Sequence, residues 1–433
     1  MAINRAGAPE PSEDAEAFAR RHVRHNVLAL GADYALFFMG MSFASQFTIL
    51  PAFAEHLGAP NVVIGAIPAF MSTGWLLPSL FAAGHTETLR RKLPFVLRYT
   101  IWERLPFLGL AAAAFFLAAP APALTLAVLL LMLVVITAAG GALMPAWMDI
   151  IGRAVPVERR GRFFAFATVL GNSGGVLGSF ASTWILAAAA APASYGYCFL
   201  AATLFMGLSY LALALTREPP AATTTPAVPL TAYLRRVAGV LRRDRNLAWF
   251  LLARGCGSVG MAAGGFYTVY ALRSLRAPDW QVGVFTTVLL VGEILGTIVL
   301  GWLGDRAGHR RVVIIGMVAM LAGNFLAITA PSLEMFRVVF ALQGLQMAAL
   351  HVSGLNILLE FAPAVAERPT YVGLGNTLTA PVAFAAPLVA GLFADAIGFP
   401  AVFLAAALGG VAGLAVLLGR VRDPRHGMSA PGA

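Results

Sequence analysis

Charge is what this sequence has least of. Asp, Glu, Lys and Arg make up 12% of its 433 residues, about half the share found in an average soluble domain. That scarcity excludes a disordered chain, which stays solvated through its charge. Cysteine is nearly missing too. The two present, Cys198 and Cys256, each sit inside an apolar run, which excludes a secreted scaffold held by disulfides. Lysine occurs once, at Lys92, among 30 basic residues. With so much alanine, that bias points to a GC-rich bacterial genome. The first 25 residues are polar (Ser12, Glu13, Asp14, Glu16, Arg20, Arg21, Arg24), with no short apolar region before a cleavage site. No signal peptide is expected.

What the chain does have is apolar length. Apolar residues make up 59%, and each membrane-spanning helix takes roughly 20 of them. About twelve spans would use nearly the whole supply, leaving no large soluble domain. The net charge of +10 would suggest nucleic acid in a soluble protein. Here it is expected to set topology, and no nucleic-acid partner is expected.

Apolar runs between charged and Pro/Gly breaks fall at 26–54, 61–83, 94–118, 122–148, 161–189, 194–215, 247–272, 280–303, 312–330, 333–360, 370–396 and 399–419. Barrel strands would alternate apolar and polar over about ten residues; these runs are longer and apolar all round. The loops alternate sharply in basic residues. One set carries 25 of the 30, the other only Arg273 and Arg276, and Arg104, Arg254 and Arg337 fall within spans. The positive-inside rule makes the rich set cytoplasmic, both termini inside and the number of spans even. A multi-pass protein of the bacterial inner membrane is expected. Residues 217–246 form a linker: Pro219, Pro220, Thr223, Pro226 and Pro229 precede Leu230, Tyr233, Leu234, Val237, Val240 and Leu241 at helical spacing, with arginines between. That pattern predicts a basic amphipathic helix on the inner leaflet.

The two sides of this linker resemble each other. Asn26, Gly40, Met41 and Thr48 match Asn246, Gly260, Met261 and Thr268 at an offset of 220; Pro60, Gly65 and Gly74 match Pro278, Gly283 and Gly292 at 218. The expected organisation is a cytoplasmic segment (1–25), a six-helix bundle (26–216), the linker (217–246), a second six-helix bundle (247–419) and a tail (420–433). Parallel repeats predict two bundles related by an axis along the membrane normal.

After the eighth run the sequence reads Gly301-Trp-Leu-Gly-Asp305-Arg306-Ala-Gly308-His-Arg310-Arg311. This resembles the loop signature of the major facilitator superfamily at every defined position. In the first half only the basic cluster Arg90-Arg91-Lys92 survives of that signature. Leu342-Gln343-Gly344 is similar to the superfamily's Arg-x-x-Gln-Gly helix, with the basic residue displaced to Arg337. The resemblance implies an all-α fold of twelve helices in two pseudo-symmetric bundles. It also implies a latch on the cytoplasmic side: Asp305 at the positive N-terminus of a helix in the other half, and Arg306, Arg310 and Arg311 pairing with acids among Asp149, Glu158 and Glu360. Gly308 would permit a tight turn and Gly301 a close helix approach.

Charges inside spans are costly and mark functional candidates. Glu293 stands near the middle of the eighth run with no basic neighbour in that helix. An unpaired carboxyl at that depth is expected to hold a proton part of the time, as a coupling site must. Asp33 and Arg254 are within one position of being repeat equivalents. They are candidates for an inner gate across the central axis, with Arg254 also a candidate for holding a substrate anion. Glu103 and Arg104 are adjacent, point about 100° apart on a helix, and are read as packing residues. His351 is a candidate proton relay; Gln46, Gln343 and Asn356 are candidate substrate ligands. There is no metal-ligand spacing, phosphate-binding loop or nucleophile–base set, so no enzyme activity and no cofactor are expected.

The expected function is secondary transport of a small solute by alternating access, coupled to protons through Glu293 or Asp33. Acids in an apolar cavity suit export of amphipathic or cationic compounds; Arg254 and Arg104 suit an organic anion. A non-transporting sensor on the same fold is the reading of another class. The expected partners are substrate, protons and membrane lipids, and the expected working unit is a monomer.

Overall fold

The computed structural model describes residues 15–75, 89–219, 239–241, 243–330, 332–363 and 367–424, with 78, 79, 82 and 86 as isolated positions. Among them there is no strand. The N-terminal half holds α1 (Ala15–Ser42, resuming after a break as Ile49–His56), α2 (Asn61–Gly74), α3 (Leu93–Leu117), α4 (Pro122–Ala154), α5 (Val157–Ala188) and α6 (Ala193–Ala214). The C-terminal half holds α7 (Arg245–Met261, resuming as Gly264–Arg273), α8 (Trp280–Ala307), α9 (His309–Thr329), α10 (Leu333–Ser353, resuming as Asn356–Phe361), α11 (Arg368–Ala396) and α12 (Phe399–Gly419). Ten of these, α3 to α12, are long and apolar enough to cross a membrane. The amphipathic linker helix expected over 230–241 lies outside the described residues except at 239–241.

Helix ends follow the sequence. Asp244 caps α7 by accepting from Leu247 N at 2.9 Å, and Ser332 accepts from Met335 N at the start of α10. Gly308 turns the chain between α8 and α9 with φ +91°, a conformation that a side chain disfavours.

The repeat read from the sequence reappears as geometry. The Asn26 side chain donates to Arg217 O at 3.1 Å and accepts from Arg217 N at 2.9 Å, clasping α1 to the chain just beyond α6. Asn246 makes the same two-point clasp with Arg422, at 3.0 and 2.8 Å, between α7 and the end of α12. A Cβ on Gly40 would lie 3.3 Å from Ala202 O, and one on Gly260 3.3 Å from Ala406 O. Between the halves, a Cβ on Gly65 of α2 would collide with the Pro387 carbonyl of α11. One on Gly283 of α8 would collide with Thr183 of α5. Lipid offers no hydrophobic drive for helix pairing, so such close backbone approaches carry the association.

The buried core forks. Away from the basic loops, on the face called outer below, one apolar cluster crosses both halves and includes Phe53, Phe199, Phe266, Phe285, Phe336 and Phe403. Nearer the basic loops it divides. One cluster around Leu30, Leu143, Ile150 and Phe163 belongs to the N-terminal half; another around Leu247, Phe250, Leu358 and Leu374 belongs to the C-terminal half. The halves are therefore sealed together at the outer face and have separate cores toward the basic one.

Candidate transport site

Two of the residues singled out in the sequence meet. His351 Nδ1 lies 2.9 Å from Glu293 Oε1. The contact depends on how closely α10 packs on α8: a Cβ on Gly344 would stand 2.8 Å from Glu293 N. The Glu293 side chain is 16% exposed and that of His351 60%. Glu293 also acts electrostatically on the Tyr34 phenol of α1, in the other half. Leu290, one turn away, would touch a Cβ on Gly175 of α5 at 3.4 Å. The sequence showed no basic neighbour along α8, and that is correct; the neighbour comes from α10. Chemically the pair offers two groups that each bind and release protons, at the seam between the halves.

Asp33 has a different partner from the one expected. Its Oδ1 accepts from Arg104 at 3.1 Å and Ser209 at 2.6 Å, and its Oδ2 from Trp147 Nε1 at 3.2 Å. Arg104 also donates to Glu103 Oε2 at 2.9 Å, while Thr100 donates to the same oxygen at 2.8 Å. Asp33, Glu103 and Arg104 are all buried. This network ties α1, α3, α4 and α6 together inside one half. The gate across the axis is thus not formed here: Arg254 donates to the Gly354 carbonyl at 3.4 Å, in the break of α10. Glu103 and Arg104, read as packing residues, are buried in this intra-half network and also pair with each other. Adjacent side chains on a helix diverge, but the long guanidinium reaches back to its neighbour, so the two pair.

The remaining candidates are dispersed. Gln343 is 4% exposed, and among the described residues its Oε1 has no hydrogen-bond partner; the same oxygen of Gln46 is also buried without one there. The Gln343 amide lies beside Gly264, at the break in α7, where Phe47, in the break of α1, also packs. Asn356 Nδ2 donates to Val352 O at 2.7 Å, bridging the break in α10. Arg337 faces Gln281 and Glu334 near the outer face.

In the signature loop, Arg306 stacks over Trp302 at 4.4 Å. Arg310 donates to Leu417 O at 2.9 Å and Val421 O at 3.1 Å, capping the end of α12. Arg311 is exposed. Asp149 pairs with Lys92 at 2.7 Å and with Arg153, and Glu158 lies 3.8 Å from Arg20. These two acids are engaged within their own half. Asp305 and Glu360 each have a partner. A Cβ on Gly301 would meet nothing within 4 Å, so close packing does not explain that glycine in this conformation.

Sequence reasoning missed the outer seal. Asp395, at the end of α11, accepts from Asn61 N at 3.0 Å, Asn61 Nδ2 at 2.8 Å and Val62 N at 3.2 Å. An acid of one half thus sits on the helix N-terminus of the other, the arrangement expected of Asp305 on the opposite face. Arg273 bonds Glu55 at 2.6 Å and Asn61 at 3.1 Å. Thr48 and Thr286 share a 2.6 Å bond, and Ser179 and Thr287 one of 2.8 Å. Among the described residues there is no cluster of three or more metal-ligating side chains.

The sequence profile of the Major Facilitator Superfamily matches residues 35–276 and 257–433. Rat solute carrier family 22 member 6 is 29% identical over 109 residues, covering 23% of this chain and 19% of the relative. The drug efflux pump JefA of Mycobacterium tuberculosis is 30% identical over 118 residues, covering 27% and 23%. The matched stretches span about a fifth of the curated relatives' length. The crystal structure of a mutant of the nucleoside transporter NupG superposes with a TM-score of 0.70 at 15% identity, covering 91% of this chain and 100% of that one.

Proposed function

The chain belongs to the major facilitator superfamily, and from that premise we propose that it is a proton-coupled secondary transporter of the bacterial inner membrane, exporting amphipathic or cationic compounds. The observation that carries this reading is the 2.9 Å contact between His351 and Glu293 at the seam between the halves. A carboxyl and an imidazole are the two side chains best suited to trading a proton between an open and a closed cavity. Rocking of the bundles would hydrate the pair from one side at a time, which is how a midplane site couples an ion to a solute. The basic face is cytoplasmic in this reading, and the conformation seen is closed toward the periplasm. The similarity to a drug efflux pump supports export. A second reading, transport of an organic anion, is favoured by Arg254. Among the described residues its guanidinium has no carboxylate within 4.0 Å and makes only a 3.4 Å bond to a carbonyl.

Proteoliposomes holding an internal pH dye test both readings, with ethidium as the cationic probe and fluorescein as the anionic one. Ethidium is expected to evoke proton movement in the wild type. Glu293→Gln keeps size and hydrogen bonding but cannot ionise, so it should still exchange ethidium while losing uphill accumulation and proton flux. Uphill accumulation with normal proton flux in the Gln variant would overturn the role of Glu293 and pass it to Asp33. A response to fluorescein alone would favour the anion reading.

A further inference from the structure

One contact of the outer seal can change its charge. His56 ends the outer piece of α1, and Asp279 directly precedes α8. The imidazole Nε2 lies 2.7 Å from Asp279 Oδ1, joining the halves. The side chains are 32% and 23% exposed, so water and protons on that face reach them without passing through the cavity.

The surrounding groups leave this pair to itself. Glu55, next to His56, is held by Arg273. Asp395 is occupied by the N–H groups of Asn61 and Val62. The Tyr195 ring of α6 stands 5.4 Å from the imidazole, centroid to centroid, and carries no charge in the range where histidine titrates. Among the described residues, His56 is the one basic side chain within 4.0 Å of the Asp279 carboxylate. Both residues also sit at helix ends of favourable sign, but those ends belong to each half separately and persist when the halves part.

We propose that His56 and Asp279 form a proton-binding site on the outer face, separate from Glu293, whose occupancy favours the outer-closed conformation. With the seal closed, an imidazolium donates to the carboxylate and gains its attraction. With the seal open, the two groups face water alone. The closed form therefore binds the proton more tightly, and by linkage acid on that face drives closure. Neutral histidine can still donate from Nε2, so deprotonation weakens the contact without abolishing it. Half-exposed ion pairs are modest, which sets the expected change in the closed-to-open ratio at about 1.4- to 5-fold between the charged and neutral histidine.

The test uses the full chain in nanodiscs of phosphatidylethanolamine and phosphatidylglycerol, with Cys198 and Cys256 replaced by Ala. Spin labels at Ala119 and Glu334, exposed at the outer ends of the two halves, report the distance distribution from pH 5 to 8.5. The short-distance fraction should grow as pH falls through the histidine range. His56→Gln, which keeps a hydrogen-bond donor, should flatten that dependence, and so should Asp279→Asn; Glu293→Gln should retain it. A flat wild-type profile overturns the proposal, as does an unchanged slope in His56→Gln. Should the Gln variant fail to fold, the Asn variant decides in the same way. A slope lost only in Glu293→Gln also overturns it, because the response then belongs to the central pair.

Discussion

Arg104 of α3 holds Asp33 of α1 at 3.1 Å, inside a single half, with Glu103 on its other nitrogen at 2.9 Å. Asp33 takes three donors from three other helices, counting Ser209 and Trp147. The two acids are therefore not equivalent.

Asp33→Asn should lower stability more than Glu103→Gln. The first strips Arg104 of the carboxylate that also anchors α4 and α6; the second leaves that anchor whole. Truncating one partner of a buried pair costs up to about 3–5 kcal/mol in water-soluble proteins, whereas polar contacts between membrane helices average about 0.6 kcal/mol. A loss of about 1–3 kcal/mol for Asp33→Asn lies between these bounds. Thermal unfolding in detergent reads it, and equal midpoints for the two variants would contradict this ranking.

Asp395→Asn and Asp305→Asn should act in opposite directions. The first removes a charge from the α2 N-terminus at the outer face and should populate the outer-open form. The second weakens the inner latch that the signature implies and should favour the outer-closed form. A charge at a helix N-terminus is worth about 0.3–1 kcal/mol exposed and up to 2 kcal/mol when partly buried. A two-state ratio then changes by up to about thirtyfold. Distances between spin labels at the two faces show the direction; a common direction would mean that one of the two acids is no latch.

Gly65→Ala and Gly283→Ala should behave alike. Each adds a methyl where the opposite half's backbone stands, at Pro387 for one and Thr183 for the other. Each should force the outer seal apart while leaving its own half folded. Alkylation of a cysteine placed at Thr286, now bonded to Thr48 across the seam, should rise in both variants. Protection equal to that of the parent would show that the seam absorbs a methyl.

Orientation is checked with single cysteines. Labels at Thr225 and Ala433 should react only from the cytoplasm, and one at Ala121 only from the periplasm. The basic loops motivate this, and reaction of Thr225 and Ala433 from opposite sides would refute an even number of spans.

Much of the architecture was legible because a membrane leaves few alternatives. Apolar run length gave the spans, and the matches Asn26/Asn246 and Gly65/Gly283 anticipated clasps and close approaches that the structure repeats in each half. The site was legible only in pieces. Glu293 and His351 stood out one at a time, since a charge in an apolar helix is conspicuous. Their meeting depends on the packing of α8 against α10, which no single-helix pattern records. Asp33 was matched to Arg254 by symmetry, but a nearer guanidinium within its own half took it. His56, Asp279 and Asp395 went unnoticed because polar residues at span ends look like ordinary boundary residues until the opposite half is placed against them.

The breaks in α1 and α7 divide each of these spans into two rods with a joint between them. The outer rods, Ile49–His56 and Gly264–Arg273, or their flanking residues, carry contacts to Asp279, Glu55 and Phe47 O. The inner rods carry Asp33 and Arg254. At the joint of α7, Asn324 donates to Gly260 O at 3.2 Å and accepts from Tyr267 at 2.8 Å, so a carbonyl at the end of the inner rod is satisfied without water. With that carbonyl bonded by a neighbouring helix, a change of angle at the joint does not require the inner rod to unravel. In the alternating-access reading proposed above, the seal comes apart while the Asp33–Arg104 network, held inside one half, stays intact, and the bending falls on the joints rather than on that buried network.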